Sequence, residues 1–130
     1  MTVTEIERRD FSISDAATLT GVSVHTLRYY ERAGLMRDSV PRAASTHRRY
    51  REDDIGWVQF ITRLRSTGMS ISQIRQYADM ARSGEGSEAE RLQLLEQHRD
   101  RVEAQMREIE RHLAAINFKI DLYRERLAAR

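Results

Sequence analysis

Residues 21–35 read Gly-Val-Ser-Val-His-Thr-Leu-Arg-Tyr-Tyr-Glu-Arg-Ala-Gly-Leu. Gly21 suits the left-handed backbone that ends a helix, and Ser23 suits the cap of the next one. Val22 and Leu27 stand at the staple positions around that cap. Gly34 supplies the stop. The helix between them carries Arg28, Tyr29, Tyr30 and Arg32. A helix, a tight turn and a second, basic helix form the pattern of a DNA-reading helix-turn-helix. An ordinary amphipathic helix with solvated arginines would show the same residues, so the stretch needs its surroundings.

Upstream, residues 1–10 read as a loose tail. Ser12 or Ser14 can cap a first helix ending at Thr20, with Ile13, Ala16, Ala17 and Leu19 as its apolar face. The second helix runs over about 24–33, with Leu27 and Tyr30 turned inward. Downstream, residues 36–51 lack a helical period and contain the only proline, Pro41. They read as two short strands around a loop, a β-hairpin wing. Arg42, His47, Arg48, Arg49 and Tyr50 would then reach the DNA backbone, Tyr50 through its hydroxyl. The competing reading is a charged loop with Tyr50 in the core.

Charge supports a polyanionic partner. The 130-residue chain has a net charge of +2. Residues 24–51 hold seven arginines and two acids, a local +5, while the rest sums to −3. Such a patch on a near-neutral chain is an electrostatic footprint for nucleic acid. Lys119 is the only lysine, and arginine suits phosphate and guanine edges; a G+C-rich genome would give the same bias.

Glu52, Asp53 and Asp54 complement the dipole at the start of a third helix. Ile55, Val58, Ile61 and Leu64 form its apolar stripe, with Trp57 and Phe60 alongside, and Gly68 ends it. Ser70 and Gln73 form a capping box for a fourth helix reaching Arg82. Residues 83–86 are a linker. Ser87 and Glu90 form a second capping box, opening the last helix.

In that helix Val102, Met106, Ile109, Leu113, Ile116, Ile120, Tyr123 and Leu127 alternate in steps of four and three. Leu92 and Leu95 extend the register upstream, interrupted by Arg99. This is a coiled-coil seam about 55–60 Å long. It is too long to bury against a small head, and a second copy is the simplest partner. Leu95, Val102, Met106, Ile109, Leu113, Ile116, Ile120 and Tyr123 are the expected dimer contacts. His98 and His112 flank the seam as solvated residues, although a shared metal or a pH response is conceivable at that spacing.

Several function classes drop out. There is no cysteine, hence no disulfide, thiolate metal site or thiol redox switch. No apolar run spans a bilayer, and the acidic N-terminus lacks a signal-peptide pattern, so the expected compartment is the cytoplasm. There is no glycine-rich phosphate loop, no His-Glu-x-x-His and no catalytic triad pattern. We expect no enzyme, no cofactor and no metal.

With these pieces in place the chain resembles the MerR family of bacterial transcription regulators. The resemblance lies in Gly21-Val22-Ser23, Thr26 to Glu31, Gly34-Leu35, His47 to Tyr50, Asp53-Asp54-Ile55, Arg63-Leu64-Arg65, Gly68 to Ile71 and Ile74-Arg75. It covers nearly the whole chain. The segments 63–69, 76–78, 94–99 and 119–123 look like the small-effector branch, some of whose members respond to aldehydes or other electrophiles. The family implies a mainly α fold: a winged helix-turn-helix head over 11–83, then a dimerising antiparallel coiled-coil helix over 87–128. It implies a homodimer on a pseudo-palindromic promoter operator, distorting spacer DNA for RNA polymerase, under a small-molecule signal. Residue by residue, Ser23, Thr26, Arg28 and Tyr29 fall on the reading helix, and Arg42, His47, Arg48, Arg49 and Tyr50 on the wing. Thr46 stands where the family often has glycine, and the lack of cysteine separates the chain from metal and thiol-based sensors. Any effector pocket would draw on Trp57, Tyr77, Phe118 or Tyr123, which core packing explains equally well. The alternative is an architectural DNA-binding protein or an adaptor whose coiled coil holds a protein partner.

Overall fold

The computed structural model describes residues 10–38 and 49–130. The described chain is mainly helical. A short strand β1 (Asp10–Ser12) leads into α1 (Ile13–Thr20) and α2 (Val24–Arg32). Strand β2 (Arg49–Arg51) precedes α3 (Glu52–Ser66), α4 (Ile71–Arg82), a 3-10 turn (Glu85–Ser87) and the long α5 (Glu88–Ala128). Two compact units result, Met1–Leu92 and Gln93–Arg130.

Local chemistry sets most boundaries. The Ser12 hydroxyl accepts the Asp15 N–H at 3.1 Å and starts α1, so Ser12 rather than Ser14 is the cap. Gly21, at φ +73°, closes α1 by donating its N–H to the Ala17 carbonyl at 3.0 Å. Ser23 then accepts the Thr26 N–H at 3.1 Å and starts α2. Ser70 accepts the Gln73 N–H at 3.1 Å and starts α4. Each cap satisfies a backbone donor that the first helical turn would otherwise leave without a partner.

Strand β2 pairs antiparallel with β1, in the register Asp10 to Arg51, Phe11 to Tyr50 and Ser12 to Arg49. Asp10, expected in a loose tail, instead opens β1. The remainder of the expected wing, including Arg42, His47 and Arg48, lies outside the described residues.

The core of the first unit is continuous through its helices. Ala16, Leu27, Tyr30, Leu35, Tyr50, Val58, Ile61, Ile74 and Ala78 are all essentially buried. Leu19, expected on the apolar face of α1, is half exposed instead. Ser87 also departs from expectation. Its hydroxyl donates to the Met80 carbonyl at 2.6 Å and accepts from Arg91, in place of a capping box with Glu90. The 3-10 turn, closed by Ser87 N–H to the Gly84 carbonyl at 3.3 Å, turns that side chain back toward α4.

In the second unit α5 continues as a single helix. Met106, Ile109, Leu113, Ile116, Ile120, Tyr123 and Leu127 are exposed along it. Leu95 and Val102 are half-buried. His112 is exposed beside Glu108, as expected, whereas His98 is buried and its imidazole titrates below the usual histidine range. Desolvation disfavours its charged form, and Arg101 one turn on adds repulsion.

Candidate nucleic-acid interface

Helix α2 is fixed against the rest of its unit. Its inward face consists of Leu27 and Tyr30, both buried. The Tyr30 hydroxyl lies 3.3 Å from the Thr62 hydroxyl of α3. On the other side, His25, Arg28 and Arg32 are exposed, at intervals of three and four that place them on one helical face. Tyr29 is half-buried between the two faces, and the Arg65 guanidinium sits 5.8 Å from its ring centroid. That cation–π contact from α3 fixes the ring. It could not be read from the sequence, because it joins residues far apart in the chain.

Ser23 and Thr26 build the helix start. Beyond the cap, the Ser23 hydroxyl bonds the Thr26 hydroxyl at 2.9 Å. The N-terminus of α2 thus presents oriented hydroxyls and backbone N–H groups, the arrangement that receives an anion.

The end of α2 is clamped. Leu35 N–H returns to the Tyr30 carbonyl at 3.0 Å. Three successive carbonyls then accept from side chains of other helices. Arg82 of α4 donates to Gly34 at 3.3 Å and also to Met36. Trp57 of α3 donates its indole N–H to Leu35 at 2.8 Å. The segment that leads away from α2 is therefore tied to both α3 and α4.

Strand β2 is tied to α2 as well. Arg49 is exposed, but Tyr50 is fully buried, and its hydroxyl donates to the Glu31 carboxylate. The expectation that Tyr50 bonds a phosphate is therefore corrected. A residue with no solvent-facing surface serves as a strut between β2 and α2. Alternation along a three-residue strand points Tyr50 inward and Arg49 and Arg51 outward.

The residues foreseen as an effector pocket divide. Trp57 and Tyr77 stack, with centroids 5.5 Å apart and planes inclined by 16°. Phe118 and Tyr123 lie in the second unit, both exposed. Phe60, not foreseen in that role, packs on Tyr77 at 5.9 Å. Among the described residues, no group of histidine and acidic side chains is arranged to hold a metal, and no helix is long and apolar enough to cross a membrane.

A capped basic helix after a three-residue turn, braced by a strand and two further helices, is the arrangement of a helix-turn-helix. Comparison with known proteins gives the family. Residues 11–81 match the model of the MerR HTH family regulatory proteins, and residues 55–117 that of the MerR DNA-binding region. The chain belongs to the MerR family.

Among its relatives is an uncharacterized HTH-type transcriptional regulator of Haemophilus influenzae, 31% identical over 115 residues, spanning 88% of this chain and 84% of the relative. The crystal structure of HiNmlR, a MerR family regulator lacking the sensor domain, bound to promoter DNA, superposes with a TM-score of 0.82 at 31% identity. That match covers 90% of this chain and 92% of HiNmlR. A MerR family transcriptional regulator of Listeria monocytogenes superposes with the same TM-score at 33% identity, over 87% and 85% of the two chains. These regulators are not enzymes, and neither is this chain.

Proposed function

We propose that the protein is a homodimeric promoter-binding regulator. The head over 11–83 reads DNA, and the helix over 87–128 sets the distance between two heads. The observation that carries this reading is the exposed face of α2, where Arg28 and Arg32 project from a helix immobilised at both ends. Arg28 is the candidate for a base edge, since arginine pairs bidentately with guanine. Tyr29, Ser23, Thr26 and Arg49 are candidates for phosphate, together with Arg42, His47 and Arg48. The promoter-bound state of HiNmlR supports the same use of this fold.

The exposed seam from Met106 to Leu127 supports self-association, because so long an apolar stripe is a poor solute on its own. Two heads on one duplex would contact a pseudo-palindromic operator. Bending or untwisting the spacer between them, for polymerase to engage, costs elastic energy of a few kcal/mol that the added contacts offset. A regulator of promoters works beside the chromosome, so the cytoplasm is the compartment this reading implies. A small-molecule signal completes it.

Gel shift with the promoter of its own or the neighbouring operon tests the reading. Arg28→Ala should cost about 1–3 kcal/mol and relax sequence preference. Unchanged affinity and preference would remove Arg28 from the interface. Equal affinity for operator and random DNA would favour an architectural protein instead.

A further inference from the structure

The first unit contains a cavity of about 410 Å³ that DNA reading does not use. Its walls come from three places in the chain. Arg37 and Asp38 follow α2, Glu52, Asp53 and Asp54 form the first turn of α3, and Trp57, Phe60 and Tyr77 supply the aromatic lining. The volume lies within the range of small-molecule sites, about 300–1,000 Å³.

Two features set the ligand's chemistry. Four carboxylates and one guanidinium line the cavity, so its field is negative. The rings of Trp57, Phe60 and Tyr77 are joined in one cluster, and aromatic faces attract cations. The α3 dipole explains why acids occupy its first turn. It does not explain Asp38, which comes from another segment, nor three rings beside the acids. Asp38, Glu52 and Asp53 are exposed, and none makes an ion pair among the described residues. The carboxylates are thus open to an incoming charge. In a head that approaches a polyanion, an anionic pocket weakens the approach rather than aiding it.

We propose that this cavity binds a small organic cation, an amine or a quaternary ammonium compound, with its charged group among Asp38, Glu52 and Asp53 and its apolar part on the aromatic cluster. Occupancy would act on Trp57, whose indole N–H holds the Leu35 carbonyl just beyond the reading helix. The ligand thereby becomes the signal of the regulator. That last step rests on the promoter-binding reading, whereas occupancy of the cavity does not.

Trp57 is the only tryptophan in the chain, so its emission reports on this site alone. The full-length protein is titrated with choline, with benzyltrimethylammonium, and with 3,3-dimethylbutan-1-ol, the neutral isostere of choline. The two cations should change the emission saturably. The neutral isostere should bind about 2- to 30-fold more weakly than choline, the span of cation–π contributions. The double variant Asp38→Asn/Asp53→Asn alters exposed side chains only, and its circular dichroism spectrum at the assay temperature should match the parent. It should weaken both cations at least about threefold. Equal response to the isostere, no saturable response to either cation, or unchanged affinity in the folded double variant would each overturn the proposal. So would binding confined to an arginine-rich peptide, which would make the cavity a protein-docking site. A gel shift with and without benzyltrimethylammonium is read separately. Absence of promoter binding both with and without the ligand would count against the regulator reading, and saturable emission without any change in DNA affinity against the signalling step alone.

Discussion

Replacing Tyr50 by phenylalanine separates two roles that a wing tyrosine can have. The ring of Tyr50 is wholly buried opposite Phe11 of β1, and its hydroxyl donates to the Glu31 carboxylate of α2. Phenylalanine keeps the ring and deletes that donor. A hydrogen bond to a charged acceptor contributes about 1.5–3 kcal/mol net. Glu31 is half-buried, which limits how far water can take the hydroxyl's place and argues for that full range over a surface value. For a unit of this size each kcal/mol moves the midpoint by roughly 4–8 °C, so the melt should fall by on the order of 10 °C. The assay is differential scanning fluorimetry at one fixed protein concentration, because self-association makes the midpoint concentration-dependent. Operator affinity is measured below the variant's melt, and its loss should accompany the loosened strut. If Tyr50→Phe melted within about 1 °C of the parent while losing DNA affinity, the hydroxyl would be a phosphate ligand and the strut argument would be refuted.

Three further outcomes follow from the same structure. Burial raises the Asp54 carboxyl above 3.8, against the lowering effect of its bond from the Arg51 N–H. A raised carboxyl destabilises the fold once ionised, so Asp54→Asn, which keeps an acceptor for Arg51, should gain stability over the parent as pH rises from below 3.8 to neutral; a constant difference in urea unfolding across that range would contradict it. His98 is depressed below 6.5 by desolvation and then Arg101, so it favours the fold when neutral, and that contribution is lost as pH falls from 6.5 through its lowered value. His98→Gln should flatten the stability profile in that window, and an unchanged profile would assign the loss to other groups. Ile116→Asp puts a charge in the middle of the exposed seam and should yield monomers by light scattering with the helical signal of the head retained; persistent dimers would place the interface elsewhere.

The helices were legible because the decisive signals are local. Ser12, Gly21, Ser23 and Ser70 each bond within four residues, so spacing alone reveals them. The long apolar register of α5 is equally local. Strand β1 was not legible, since the alternation in Asp10-Phe11-Ser12 is only three residues long and the strand is defined by a partner some forty positions away. Tyr50 was ambiguous for a related reason. A tyrosine beside arginines is compatible with a phosphate contact or with a core, and only the position of Glu31 decides. Ser87 misled because the local pattern Ser-x-x-Glu fits a capping box, while the 3-10 turn commits its hydroxyl to Met80. The cavity is a tertiary product. Glu52 to Asp54, Trp57 and Phe60 share α3, but Tyr77 of α4 and Asp38 join them only through tertiary packing. In the second unit Phe118 and Tyr123 remain exposed, and no local pattern separates them from the two rings of the head.

The account depends on two copies of this chain engaging one duplex. Sedimentation equilibrium, with and without a short operator duplex, measures this directly. The free protein should show twice the 15.2 kDa chain mass, and the complex should hold two chains per duplex. A 15.2 kDa species at micromolar concentration, or one chain per duplex at saturation, would contradict it.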